Sequence, residues 1–258
     1  MTTLTRRIVV RLLVWGASCL IMAGPAAAGP DRPSSTTGLA LEYLGRTFNW
    51  EGEETPSRMS GPVLAVHQDI RIDKSLSCSL SVGLALSRFN ELVFRGLPIS
   101  LEYGSGSMSG LNFGAEIRSR FLRIGDVEIG GVGRIAAVYG LAKKWPLEGF
   151  AVPGRSVGRL SWGEAAVGPR VSYDRSGRFV PALEFSARWL WAGLKMDQVL
   201  EDLAGTEIKK VMGDLAAAVS LEGEYHLSGS AKLRARGGML RRRGATDIEV
   251  AGGFHYAF

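Results

Sequence analysis

Cysteine is nearly absent: Cys19 and Cys78 are the only two in 258 residues. Cys19 lies in the expected export signal, so no internal disulfide is available to the mature chain. Histidine is scarce as well, with only His67, His226 and His255 to serve acid–base or metal chemistry. No CxxC, HExxH or Walker loop occurs, so no cofactor and no metal is expected. No stretch beyond residue 28 is apolar enough for a transmembrane helix, which needs about 20 such residues. The formal charge of +6 is half contributed by Arg6, Arg7 and Arg11, leaving +3 on the remainder. No basic stripe with interleaved aromatics points to nucleic acid.

The N-terminus has the three parts of an export signal: the arginines, an apolar run from Leu12 to Met22, and a small-residue site at Ala26-Ala27-Ala28. The expected organisation is a signal peptide over 1–28, a short periplasmic segment over 29–36 and one domain over 37–258. Glycine is plentiful, at 34 residues, but Gly130-Gly131-Val132-Gly133 falls within a strand pattern and is no phosphate loop.

What the chain has in abundance is alternation. Ile248, Val250, Gly252, Phe254, Tyr256 and Phe258 share one face of the last twelve residues, with Glu249, Gly253 and His255 among the residues opposite. The pattern recurs upstream. Leu215, Val219 and Leu221 oppose Ser220, Glu222 and Glu224; Leu183, Phe185, Trp189 and Trp191 oppose Glu184 and Arg188. Leu111, Phe113 and Ile117 oppose Glu116, Arg118 and Arg120; Leu39, Leu41 and Tyr43 oppose Glu42 and Arg46. About ten strands result, each of about 12–18 residues, longer than the usual 5–6 of soluble strands. With a short Arg-rich exception at 241–246, connections alternate between short turns (73–75, 125–126, 174–177, 228–230) and longer loops (50–60, 92–107, 142–157, 194–212). The last loop mixes Met196, Leu200, Leu203 and Ile208 with charges and reads as a solvated loop with a helical turn.

A terminal strand that ends on Phe258 resembles bacterial outer-membrane β-barrel proteins. The resemblance implies an all-β fold, an antiparallel up-and-down transmembrane barrel of about ten strands (eight or twelve being the alternatives) in the bacterial outer membrane. It further implies that Phe254, Tyr256 and Phe258 face lipid, and that the barrel assembly machinery recognises Phe258. Outer-membrane lipid and lipopolysaccharide are the expected surroundings. Tyr43, Tyr139, Trp189, Trp191, Tyr225 and Tyr256 would form the interfacial belts.

Inside such a barrel the opposite face becomes the candidate site. It carries Glu42, Arg46, His67, Asp69, Arg71, Glu116, Arg118, Arg120, Glu128, Arg134, Glu184, Arg188, Glu222, Glu224, Lys232, Arg234 and Arg236. Alternating signs on neighbouring strands point to an internal ion-pair network that fills the lumen, with a narrow porin-like diffusion channel as the alternative. Enzymatic readings fare worse. His226 and Ser228 have the His-x-Ser spacing seen in outer-membrane lipid A deacylases, but the topology assigns Ser228 to a periplasmic turn. The barrel proteases called omptins use an Asp pair with an Asp–His pair at the outer rim, and no DxD or DxH stands at an extracellular strand end here. A non-enzymatic barrel is expected, with loops serving surface interaction or envelope integrity.

Overall fold

The computed structural model describes residues 34–90, 92–94, 101–103, 106–147, 154–175, 177–242 and 244–257. The expected signal peptide and Phe258 lie outside these. Among the described residues there are strands and turns but no helix. In chain order the strands are β1 Ser34–Phe48, β2 Ser57–Arg71, β3 Leu76–Asn90, β4 Leu92–Phe94, β5 Leu101–Tyr103, β6 Met108–Ile124 and β7 Val127–Gly140. There follow β8 Lys143–Leu147, β9 Gly154–Tyr173, β10 Phe179–Leu200, β11 Leu203–His226, β12 Ala231–Arg242 and β13 Ala245–Ala257.

Ten of these form a closed antiparallel ring, β1-β2-β3-β6-β7-β9-β10-β11-β12-β13, and β13 returns to pair with β1. The closing register sets Leu39 opposite Phe254 and Tyr43 opposite Val250, so no sheet edge is left open along that seam. β8 adds beside β9 at one end, and β4 and β5 make a separate two-stranded ribbon in the β3–β6 connection. The first strand starts at Ser34, three residues before the boundary read from sequence.

The outward face is apolar because a strand sends alternate side chains to opposite sides. Leu221, Val250, Leu84 and Ile248 all stand outside, each more than half exposed. Phe179 and Tyr225 are register partners near one end of this face, and Trp189 and Leu215 near the other. Phe179 and Trp189 are ten residues apart, about 33 Å of strand, which a tilt of roughly 40° reduces to about 25 Å. That is the height of the apolar band on outer-membrane barrels.

The 194–212 region departs from the loop expected there. β10 and β11 run through it as paired strands of 22 and 24 residues, joined by a turn at Glu201-Asp202. Its polarity misleads because these strands continue past the apolar band. Inward Leu194, Met196 and Leu200 are buried while outward Lys195 is exposed, so alternation persists with its faces exchanged. Between Lys195 and the turn, the Asp197 carboxylate takes hydrogen bonds from Lys195 Nζ (2.9 Å) and Thr206 Oγ1 (2.7 Å). These bonds hold its pKa below the ordinary aspartate value. A bulge opposite Leu190/Trp191 absorbs the change of course, with Gly213 at φ +74°, a conformation glycine adopts without a Cβ penalty.

Candidate functional site

The interior is layered. At the loop end it is apolar: Phe48, Trp50, Phe89, Trp162, Leu190 and Leu194 belong to one buried cluster. Phe48 stacks on Trp50 with ring centroids 5.2 Å apart and meets Phe89 at 5.8 Å. The β1–β2 connection reaches across to β11 and fastens this cluster down. Glu51 N–H donates to the Lys210 carbonyl (2.9 Å), and Asn49 Nδ2 donates to Asp214 (3.1 Å). Lys209 is buried beneath, paired with Glu53 and 5.2 Å from the Phe94 ring. The sequence reading anticipated a polar lumen throughout; the loop-end portion is instead a small hydrophobic core.

Below it lies a first ion-pair layer. Arg188, 1% exposed, donates to both oxygens of Glu249 (2.7 and 2.8 Å) and to Glu164 (3.0 Å). Arg46 joins the same two carboxylates at 3.0 and 2.9 Å. Arg236 reaches Glu249 at 2.5 Å, and Arg242 bridges Glu164 (3.2 Å) and Asp247 (3.1 Å). Asp247 also accepts from Thr47 N–H and Oγ1.

A second layer follows. Glu222 accepts from Arg118 through both oxygens (3.1 and 3.0 Å), from Arg234 (3.0 Å) and from Arg170 (3.4 Å). Arg134 grips Glu184 at 3.1 and 3.0 Å and also pairs with Glu116, which Arg118 shares. These contacts span the lumen from β6 and β7 to β10, β11 and β12. Charges buried this way persist only because each carboxylate collects several donors, and bidentate arginine supplies them in a fixed geometry. A cavity of about 130 Å³ remains between the layers, lined by Trp162, Glu164, Arg46 and His67 among others.

The short-turn end is wetter. His255 is 2% exposed, with Nδ1 3.2 Å from Asp69, which also takes the Ser79 hydroxyl. His255 is thus a packed lumen residue of the short-turn half. His67 stands 6.0 Å ring to ring from His255, and its Nε2 is 3.7 Å from Glu42, while Asp69 turns to His255 instead. Lys232 bridges Glu224 (3.2 Å) and Asp69 (3.7 Å), and Arg120 binds Glu128 at 2.6 Å. Arg71 stands at the mouth of a vestibule of about 650 Å³.

Sequence reasoning left out Glu164, Arg170, Arg242, Asp247 and Glu249 as network members. Glu249 was legible from parity alone, since it opposes Ile248 and Val250. Glu164 sits in Ser161-Trp162-Gly163-Glu164-Ala165-Ala166, where outward small residues blur the alternation. Arg242 and Asp247 flank a tight turn in an Arg-rich stretch that resembles a loop.

Among the described residues no catalytic set assembles at the loop end. The chain's three histidines all lie in the short-turn half. Ser228 Oγ accepts from the Ser230 and Ala231 amides (3.3 and 3.1 Å) and caps its own turn, while His226 faces Glu224 at 3.1 Å. Among the described residues no group of histidine, cysteine and carboxylates is arranged to hold a metal ion.

No family model matches the chain, and no curated protein matches it by sequence. Solved structures do match by fold. The outer membrane protease OmpT from Escherichia coli covers 91% of this chain and 99% of its own at 11% identity, with a TM-score of 0.52. The translocator domain of autotransporter NalP from Neisseria meningitidis covers 98% and 96% at 12% identity, with a TM-score of 0.51. At these identities the likeness concerns the fold: a closed ten-stranded antiparallel barrel of the outer-membrane kind.

Proposed function

We propose that the protein resides in the bacterial outer membrane as a non-enzymatic, plugged barrel. Its short turns face the periplasm, and its loop-end cap is presented at the cell surface, among lipopolysaccharide, for surface interaction or envelope integrity. The observation that carries this reading is the double closure of the lumen. An apolar cluster sits over two layers of cross-lumen ion pairs, and neither has a one-sign ring of charges of the kind that conducts ions. The exchange of faces along β10 supports the membrane setting, since outward side chains turn polar where the apolar band ends.

Planar-bilayer recording of the purified protein tests the reading. A plugged barrel gives no steady single-channel steps, whereas discrete, reproducible steps would establish the second reading, a narrow diffusion channel. That alternative is favoured by the polar vestibule and the cavity above it.

A further inference from the structure

We infer that the short-turn vestibule is a binding site for a compact, multiply charged phosphate-bearing anion. Eight cationic side chains line it against five carboxylates, in a space of about 650 Å³. That volume is in the range of small-molecule sites. The acids are shared unevenly. Glu222, just above, serves three guanidiniums, and among the described residues Arg170 holds a carboxylate through this one contact of 3.4 Å. Arg120 and Arg123 share Glu128, at 2.6 and 3.4 Å. Among the described residues no carboxylate lies within 4.0 Å of Arg71 or Lys74. Two of the five acids are already engaged by their own turns: Asp73 accepts from the Ser75 and Leu76 amides, and Asp174 from Gly177.

A guanidinium has five N–H donors in a planar fork, so Arg170 with one long contact retains most of its capacity. Its neighbours Arg118 and Arg234 turn to the same carboxylate and also pair with Glu116, so Arg170 is the least compensated of the three, and a multivalent anion would relieve the crowding of like charge there. A phosphate monoester or diphosphate carries two or more charges on tetrahedral oxygens, which suits several forks converging at once. A monocarboxylate would engage one of them. The same chemistry is offered by a soluble phosphorylated molecule of the periplasm and by a phospholipid headgroup of the inner leaflet.

Calorimetric titration of the full barrel in nonionic detergent with pyrophosphate tests the site. Saturable one-to-one binding is expected. An Arg71→Gln/Arg170→Gln variant should bind at least about tenfold more weakly, the loss of roughly one charge-assisted hydrogen bond. An Arg159→Gln/Lys195→Gln variant, which removes equal charge at the loop end, should bind within about twofold of wild type, because that end lies beyond a Debye length of roughly 10 Å. Heat-modifiable mobility verifies that both variants fold, and Arg170→Lys should recover part of the loss. Absence of saturable binding to wild type, or equal weakening in the two double variants, overturns the proposal. Repeating the titration in phosphatidylcholine nanodiscs with and without phosphatidylglycerol assigns the source. Competition by the anionic lipid supports the site and makes it a headgroup site; unchanged pyrophosphate affinity supports a site for a soluble anion.

Discussion

Glu249 is the junction of the upper layer, and Glu249→Gln is the most informative single change. The carboxylate accepts from Arg46 (2.9 Å), twice from Arg188 (2.7 and 2.8 Å) and from Arg236 (2.5 Å), at 3% side-chain exposure. Glutamine keeps the shape but deletes the charge and turns an NH2 donor toward groups that only donate. Arg46 and Arg188 keep Glu164 as a partner, whereas Arg236 has no other ion pair among the described residues. Removing one partner of a buried ion pair costs about 3–5 kcal/mol, and the partial exposure of Arg236 puts this change toward the lower end of that range. Guanidinium unfolding in phosphatidylcholine vesicles, followed by tryptophan fluorescence, should show that loss with an unchanged m-value. Adding Arg236→Gln should recover part of it, giving a coupling of about 1–3 kcal/mol. A cost below about 1 kcal/mol for Glu249→Gln would refute the network as a stabilising element, since a lone surface ion pair contributes that little.

The apolar band predicts a depth effect. Leu221→Arg, between the two aromatic ends, should cost about 2–4 kcal/mol in vesicle unfolding, and Met212→Arg, beside its register partner Trp191 at the edge of the band, only about 0–1. In the β2–β3 turn, the Ser75 amide and hydroxyl bind the Asp73 carboxylate and depress its pKa below the ordinary aspartate value. A depressed carboxyl stabilises above its unfolded pKa of about 3.9 and loses that contribution as pH falls through the folded value. Amide exchange at Ser75 and Leu76 should therefore be flat from neutral pH down to about pH 4, beyond intrinsic chemistry, and accelerate only in stronger acid. Converting Glu184, Arg188 and Lys195 together to Leu leaves β10 without charge from Phe179 to Met196, about the 18 residues that suffice for a membrane span. Fractionation should find this variant held in the inner membrane. The corresponding triple Gln variant loses the same ion pairs without the apolar run, and should not be held there.

How legible all this was in the sequence depends on which interactions are local. Strand existence, strand number and the outward apolar residues follow from period two, because Leu221, Val250 and Leu84 stand outside whatever their neighbours do. The closure of β1 on β13 follows from the need to leave no edge in lipid. Pairings across the lumen do not follow. Nothing in the order of residues says that Arg188 takes Glu249 and not Glu184, since that choice is made by shear and stagger between strands far apart in the chain. His255 shows the same limit: parity places it on the inward face, but nothing in the order of residues says that its partner is Asp69 from β2, 3.2 Å away.

The misread hairpin has a physical cause that also explains the layered interior. A barrel strand is sorted by what lies outside it. In the membrane setting proposed above, the outside within the band is hydrocarbon, so Trp189 and Phe185 point outward and Arg188 and Glu184 pair inward. Past Leu190 the outside is water, so Lys195 and Asp197 point outward and Leu194 and Met196 pack inward on the cluster around Phe48 and Trp50. The period is unchanged; only its phase relative to polarity inverts. At the crossing both faces are apolar, and Trp189 to Leu194 is an uncharged run bounded by Arg188 and Lys195. Those two charges thus do more than pair. They keep the run far short of a membrane-spanning helix, so the strand that most needs apolar residues at its boundary remains exportable. Interior charge in such a barrel satisfies two separate demands at once: filling the lumen with paired groups, and preventing any strand from reading as a helix before it reaches its own membrane.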